Sequence, residues 1–169
     1  MARRFARRRG GTVDATFERG ELELLKGLPE QLRTLYGADD DDPARARLFP
    51  RAYLDPTAEQ AEAEWQELVQ PGLLEARLDA LSTLETTIAA AEPTKRDRLV
   101  VHLSAEEANA WLSVLNDARL ALGSRLGVTD DTDVTEVSPD DPNGAVIAAY
   151  TWLTYLEGEL VEALLGDLQ

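Results

Sequence analysis

Cysteine is absent, and histidine occurs once. No disulfide, thiolate metal site, iron–sulfur cluster or catalytic thiol can form. A metal site built on several histidines is excluded with them. Long apolar runs are also missing, since none approaches the roughly 18 residues that span a bilayer. The basic start lacks the apolar stretch of about 7–15 residues that marks a signal peptide. A cytoplasmic location with no membrane partner is therefore expected, and the lack of cysteine agrees with it. Basic side chains are scarce, with 17 Lys+Arg against 32 Asp+Glu and a net charge of -15.

What is present has the composition of a globular protein. Of 169 residues, 44% are hydrophobic and 29% charged, which suits one domain of ordinary size. The charge is unevenly spread. Residues 1–10 hold Arg3, Arg4, Arg7, Arg8 and Arg9 and no acid. That leaves 12 basic residues against 32 acids, so residues 11–169 carry -20. A body of that sign repels nucleic acid and anionic membranes, and only the basic tip could meet phosphate.

The patterning predicts a mainly α fold. We expect a single helical domain, 1–169, of five to six helices with a small antiparallel sheet. Phe5, Val13, Ala15 and Phe17 can share one strand face, and Gly10-Gly11 suits the turn of a hairpin over 1–17. RLVVHL at 98–103 reads as a third strand. Helices are expected across 18–92, with Leu22, Leu25, Leu28, Leu32 and Leu35 on one stripe and a kink or a break near Gly27. A short helical turn is placed around Ala44–Phe49. The spacing also predicts a helix over 57–70 with Ala61, Trp65 and Leu68 inward, and a new helix opening at Pro71. Ser104 and Glu107 form a capping box for a helix over 104–127. An acidic loop follows over 128–143, then a last helix over 145–165.

Several motifs resemble sites and fail on inspection. Asp130, Asp131, Asp133 and Glu136 resemble a calcium loop, but Glu136 and Pro142 stand where Gly and Glu are required. His102 has no nucleophile motif beside it. Gly10-Gly11 lacks the further glycines and lysine of a phosphate loop. Leu122–Val137 mimics a helix-turn-helix, but its second helix would carry four acids and no base toward phosphate. No metal, cofactor or catalytic residue is expected.

Three groups stand out as candidate binding residues. Arg4, Arg7, Arg8 and Arg9 could contact phosphate or an acidic partner, or pair with acids of their own chain. Asn116, Arg119 and Gly123 recur at three and four, so they line one helix strip. Glycine inside a helix costs about 1 kcal/mol relative to alanine, and so marks close approach by another backbone. Packing is the favoured reading of that strip. Trp152 and Tyr155 lie three apart on the last helix and would form a protein-binding patch if exposed. Burial in the core is the expectation.

The opening RRFARRR, RLFPRAY at Arg47–Tyr53, WLSVLNDARLALGSRLGV at Trp111–Val128 and AAYTWLTYLEGELVEALL at Ala148–Leu165 together resemble one family. It is an actinobacterial domain-of-unknown-function family, number two thousand and seventeen, and the resemblance covers nearly the whole chain. The resemblance implies a non-enzymatic stress-response regulator of transcription that acts through protein–protein contacts, with a sigma factor as candidate partner. The usual gene neighbourhood of the family implies an alternative, an accessory to Clp-dependent proteolysis that binds the Clp adaptor. Direct DNA contact rests on the N-terminal arginines alone. The family has no accepted catalytic residues to carry over. Some members are described as sensing oxidant through cysteines, which this chain does not have.

Overall fold

The computed structural model describes residues 3–128 and 140–166. The acidic residues Asp130, Asp131, Asp133 and Glu136 lie outside them, as does most of the helix-turn-helix lookalike. Strands β1 (Phe5–Arg7) and β2 (Val13–Phe17) open the chain, followed by helices α1 (Arg19–Lys26), α2 (Leu28–Tyr36) and α3 (Pro43–Leu48). A 3-10 turn at Pro56–Ala58 leads into the long helix α4 (Glu59–Ala89). Then come β3 (Glu92–Pro93), β4 (Leu99–Leu103), α5 (Ala105–Leu126) and α6 (Gly144–Leu165). The fold is mainly helical with a small antiparallel sheet, as the patterning predicts.

The sheet has the order β1-β2-β4-β3. It is one strand wider than expected, because Glu92 and Pro93 pair with Val100 and Leu99. Pro93 has no amide to donate, which is tolerated at a sheet edge. Gly10 and Gly11 both take positive φ in the hairpin turn, a conformation that favours glycine. Phe5 sits opposite Ala15, and Val13 opposite Leu103. That register puts Phe5, Val13, Ala15, Phe17, Val101 and Leu103 on one buried face.

This face rests on α5. Phe17 stacks on Trp111 at 5.9 Å, and Phe5 meets both rings edge-on at 5.7 and 6.4 Å. Trp111 is fully buried, and its indole N–H donates to Thr87 Oγ1 of α4 at 2.8 Å. The buried polar group is therefore satisfied. Residues from all six described helices and from β1, β2 and β4 join this core.

The capping box forms at α5. The Glu107 amide donates to Ser104 Oγ at 3.1 Å, and the Ser104 amide to Glu107 Oε2 at 2.8 Å. At the other end Gly127 is left-handed, and the Val128 amide closes on the Gly123 carbonyl at 2.9 Å. Of the kink or break expected near Gly27, the structure has the break, between α1 and α2.

Two helical expectations are corrected. The helices expected over 57–70 and from Pro71 onward are one helix, with Pro71 inside it. Proline there removes the amide that would meet the Glu67 carbonyl. Pro71 is solvent-exposed, so water can take that place. Leu68, expected inward, is 83% exposed. The helical period of the segment is real, but the first turns of α4 extend beyond the core that would cover this face.

Candidate functional site

The segment from Arg45 to Leu54 is laced along the first half of α4 by two polar clusters. At one end lies Asp117, buried on α5. The Tyr36 hydroxyl donates to its Oδ2 at 2.6 Å, and Arg77 of α4 pairs with its Oδ1. Burial first, then the hydrogen bond to Asp117, push the Tyr36 phenol far above its ordinary pKa. It stays protonated and acts as a fixed donor. The other arm of Arg77 donates to the Leu48 carbonyl at 2.9 Å. Phe49 then takes the Arg45 and Arg77 guanidiniums over its ring at 5.0 and 5.1 Å, and meets the Tyr36 ring edge-on.

At the other end lies Glu62, which is also buried. Its Oε2 accepts from the Ala52 and Tyr53 amides at 3.0 and 2.9 Å, and its Oε1 from Gln66 at 2.8 Å. Burial raises the Glu62 pKa, but these donors and the nearby Arg51 outweigh it and hold the carboxyl below its ordinary range. Arg51 adds an ion pair to Glu59 at 2.6 Å.

The outer side of this half-helix carries exposed apolar groups. Leu68 (83%), Leu73 and Val69 are exposed, and Trp65 is half-buried. Tyr53 and Leu54 (85%) are exposed beside the same end of the helix. Residues 65, 68, 69 and 73 recur at three and four, so they form one stripe. Exposed apolar groups scattered singly need no explanation, but a contiguous patch marks an interaction site.

The candidates named from sequence sit elsewhere. Arg119 pairs with Glu157 of α6 at 2.6 Å and donates to Asn116 Oδ1 at 3.2 Å. A methyl group on Gly123 would stand 3.1 Å from the Tyr150 ring of α6. Arg119 and Gly123 therefore face α6, with Asn116 drawn in through Arg119. Trp152 is half-buried, whereas Tyr155 is 45% exposed. Its hydroxyl donates to Glu159, and the Arg4 guanidinium lies 5.7 Å above its ring. The expected burial is met in part by Trp152, which packs against the core, and not by Tyr155. Tyr155 points away from the core beside the basic strand.

The N-terminal arginines engage their own chain. Arg4 reaches Glu21 at 2.5 Å, Arg8 reaches Asp14 at 2.7 Å, and Arg3 lies 3.7 Å from Glu162. Arg7 Nη1 donates to the Leu164 carbonyl at 2.8 Å, closing the end of α6. Arg9 is exposed. His102 Nδ1 lies 2.7 Å from Asp14 Oδ1 on the open face of the sheet. Among the described residues, no group of three or more Asp, Glu or His side chains is placed to hold a metal. No described helix is long and apolar enough to cross a membrane.

Sequence reasoning missed Asp117, Tyr36, Arg77 and Glu62. One signal was available. Val114, Asp117, Ala118 and Ala121 recur at three and four, which puts a carboxylate in an apolar row. No comparable signal marked Glu62, which lies among five glutamates over residues 59–75.

The chain is 31% identical over 165 residues to the protein named "Oxidative stress regulator AosR" in Mycobacterium tuberculosis, covering 91% of this chain and 71% of that one. The Mycobacterium bovis protein of the same name matches to the same extent. "Putative oxidative stress regulator AosR" of Mycobacterium leprae is 32% identical over 157 residues, with 86% and 67% covered. No solved structure matches the chain. A family model described as "Domain of unknown function (DUF2017)" matches residues 2–164, and the chain belongs to that family.

Proposed function

We propose that the protein is a non-enzymatic regulator of the oxidative-stress response that acts through protein–protein contacts. The observation that carries this reading is the similarity to proteins named oxidative stress regulators over 91% of the chain. The exposed apolar stripe on α4 supports the choice of a protein as the partner. The engagement of Arg4, Arg7 and Arg8 within the chain supports protein over DNA. A sigma factor is the first candidate partner, and the Clp adaptor the second.

The mechanism has one firm boundary. The chain has no cysteine and a single methionine, so no thiol of its own can register oxidant. On this reading the signal arrives through the partner or through a change in the amount of protein. Binding of the purified chain to its partner should therefore be unchanged when this chain alone is treated with peroxide.

The test pairs a deletion strain with purified components. Loss of the gene is expected to change survival and transcript levels after peroxide, with restoration by the wild-type chain. Identical survival and transcripts in deletion and parent strains would remove the stress-regulator reading. Co-elution with a purified sigma factor is expected. Co-elution with the Clp adaptor instead would transfer the role to proteolysis.

A further inference from the structure

We propose that the outer half of α4 is a docking face for an amphipathic helix that carries Lys or Arg beside an apolar ridge. This rests on the protein-contact reading above and specifies the chemistry of the partner. The first argument is shape. Trp65, Leu68, Val69 and Leu73 form one stripe on a helix whose backbone groups bond internally apart from the Glu67 carbonyl, which Pro71 leaves to water. Such a surface offers side-chain ridges and grooves, not a strand edge, so a second helix is the element that packs on it. Gly72 lies within the stripe, and a methyl group built there would meet nothing within 4 Å. It leaves a notch where a partner side chain can approach the helix closely.

The second argument is charge. Residues 59–76 contain no Lys or Arg. By helical phase, Glu64 and Glu75 border the stripe on its Leu68 side, with Glu67 beyond them. Among the described residues, none of these three lies within an ion-pair contact, whereas Glu59 is taken by Arg51. A partner with flanking cations would neutralise them. A second copy would bring the same carboxylates and no cation from its own residues 59–76, on a chain already carrying -15. Like charges so placed disfavour that occupant.

The experiment titrates the full chain with three synthetic peptides. One is an amphipathic leucine–lysine helix, one has Glu for every Lys, and one has the leucine–lysine residues in shuffled order. Fluorescence anisotropy gives affinity, and amide hydrogen exchange gives location. Binding of the amphipathic leucine–lysine peptide alone is expected, with protection over residues 59–76. Leu68→Glu is expected to weaken it by about tenfold or more, as loss of a central apolar anchor does. That variant adds a negative charge, so attraction by charge alone would tighten binding. Leu24→Glu, an exposed leucine of α1, should leave affinity unchanged.

Equal binding of the glutamate or shuffled peptide would overturn the proposal. So would tighter binding by Leu68→Glu, or protection elsewhere in the chain. A dimer in sedimentation that Leu68→Glu dissolves would make a second copy the occupant and overturn it too. The protein-contact reading fails separately, when the wild-type chain captures neither candidate partner. The docking face fails with the peptide result, whatever that capture shows.

Discussion

The first half of α4, residues 59–76, and its second half, residues 77–89, share one helix and differ in what covers them. In the second half Leu81 and Leu84 are fully buried, with Ala80, Thr87 and Ile88 close behind. In the first half Glu62 is the one buried residue of the helix, and Leu68 stands 83% exposed. Both halves show leucines at helical spacing. The lesson is that helical period identifies a face, and the neighbouring elements decide whether that face is core. Arg77 marks the boundary, with one arm on buried Asp117 and the other on the Leu48 carbonyl.

The largest effect is expected at that boundary. Arg77→Ala leaves the Asp117 carboxylate buried without its cation, a loss of about 3–5 kcal/mol. Chemical denaturation should show it, and a simultaneous Asp117→Asn change should recover part of it. A loss within about 0.5 kcal/mol, like that of ordinary surface substitutions, would mean that the pair does not join the two halves.

Next comes the packed half. Leu84→Ala should cost about 2–5 kcal/mol through lost burial and the cavity left behind. The thermal midpoint should fall accordingly.

Pro71→Ala tests whether the helix is as continuous as it looks. Restoring an amide inside a formed helix should stabilise it by about 1–3 kcal/mol. Far-UV circular dichroism should show at least as much helix as before. A loss of helix would mean that the proline is needed for the path of the chain.

Glu62 separates the halves by pH. Its folded pKa is depressed. Its hold on the Ala52 and Tyr53 amides is therefore complete above the ordinary glutamate range, near about 4.3, and is lost as pH falls through the lower folded value. Nuclear magnetic resonance of those two amides should move over that acidic window. Glu62→Gln should remove the transition.

The smallest effect belongs to Leu68→Ala, which should stay within about 0.5 kcal/mol because the side chain is already in water. A loss comparable to that of Leu84→Ala would show that the outer stripe is covered in solution.

Much of the fold was legible in the sequence, and for local reasons. Strand alternation at Val13, Ala15 and Phe17, the glycine pair of the hairpin and the Ser104–Glu107 box depend on residues near one another in the chain. The break near Gly27 is local in the same way. The two-residue strand at Glu92–Pro93 was not legible, because two residues carry no period. The candidate site was the least legible part. The polar cluster joins Tyr36, Arg77 and Asp117 from three helices, and no spacing rule relates them. Arg4, Arg7 and Arg8 were visible as a charge cluster, but their partners Glu21, Leu164 and Asp14 are mostly remote in sequence.

The sequence by itself determined the exclusions and the element types. No cysteine means no thiol chemistry, and beyond the N-terminal arginines the acids outnumber the bases taken as a whole, 32 against 12. Those conclusions need only residue identity and the sign of a charge. Tertiary structure alone decided that Pro71 lies inside a helix, that Asp117 is buried and paired, and that the leucines of α4 divide into core and surface. Burial depends on which elements meet in space, and a helix carries no local mark of where its neighbours end.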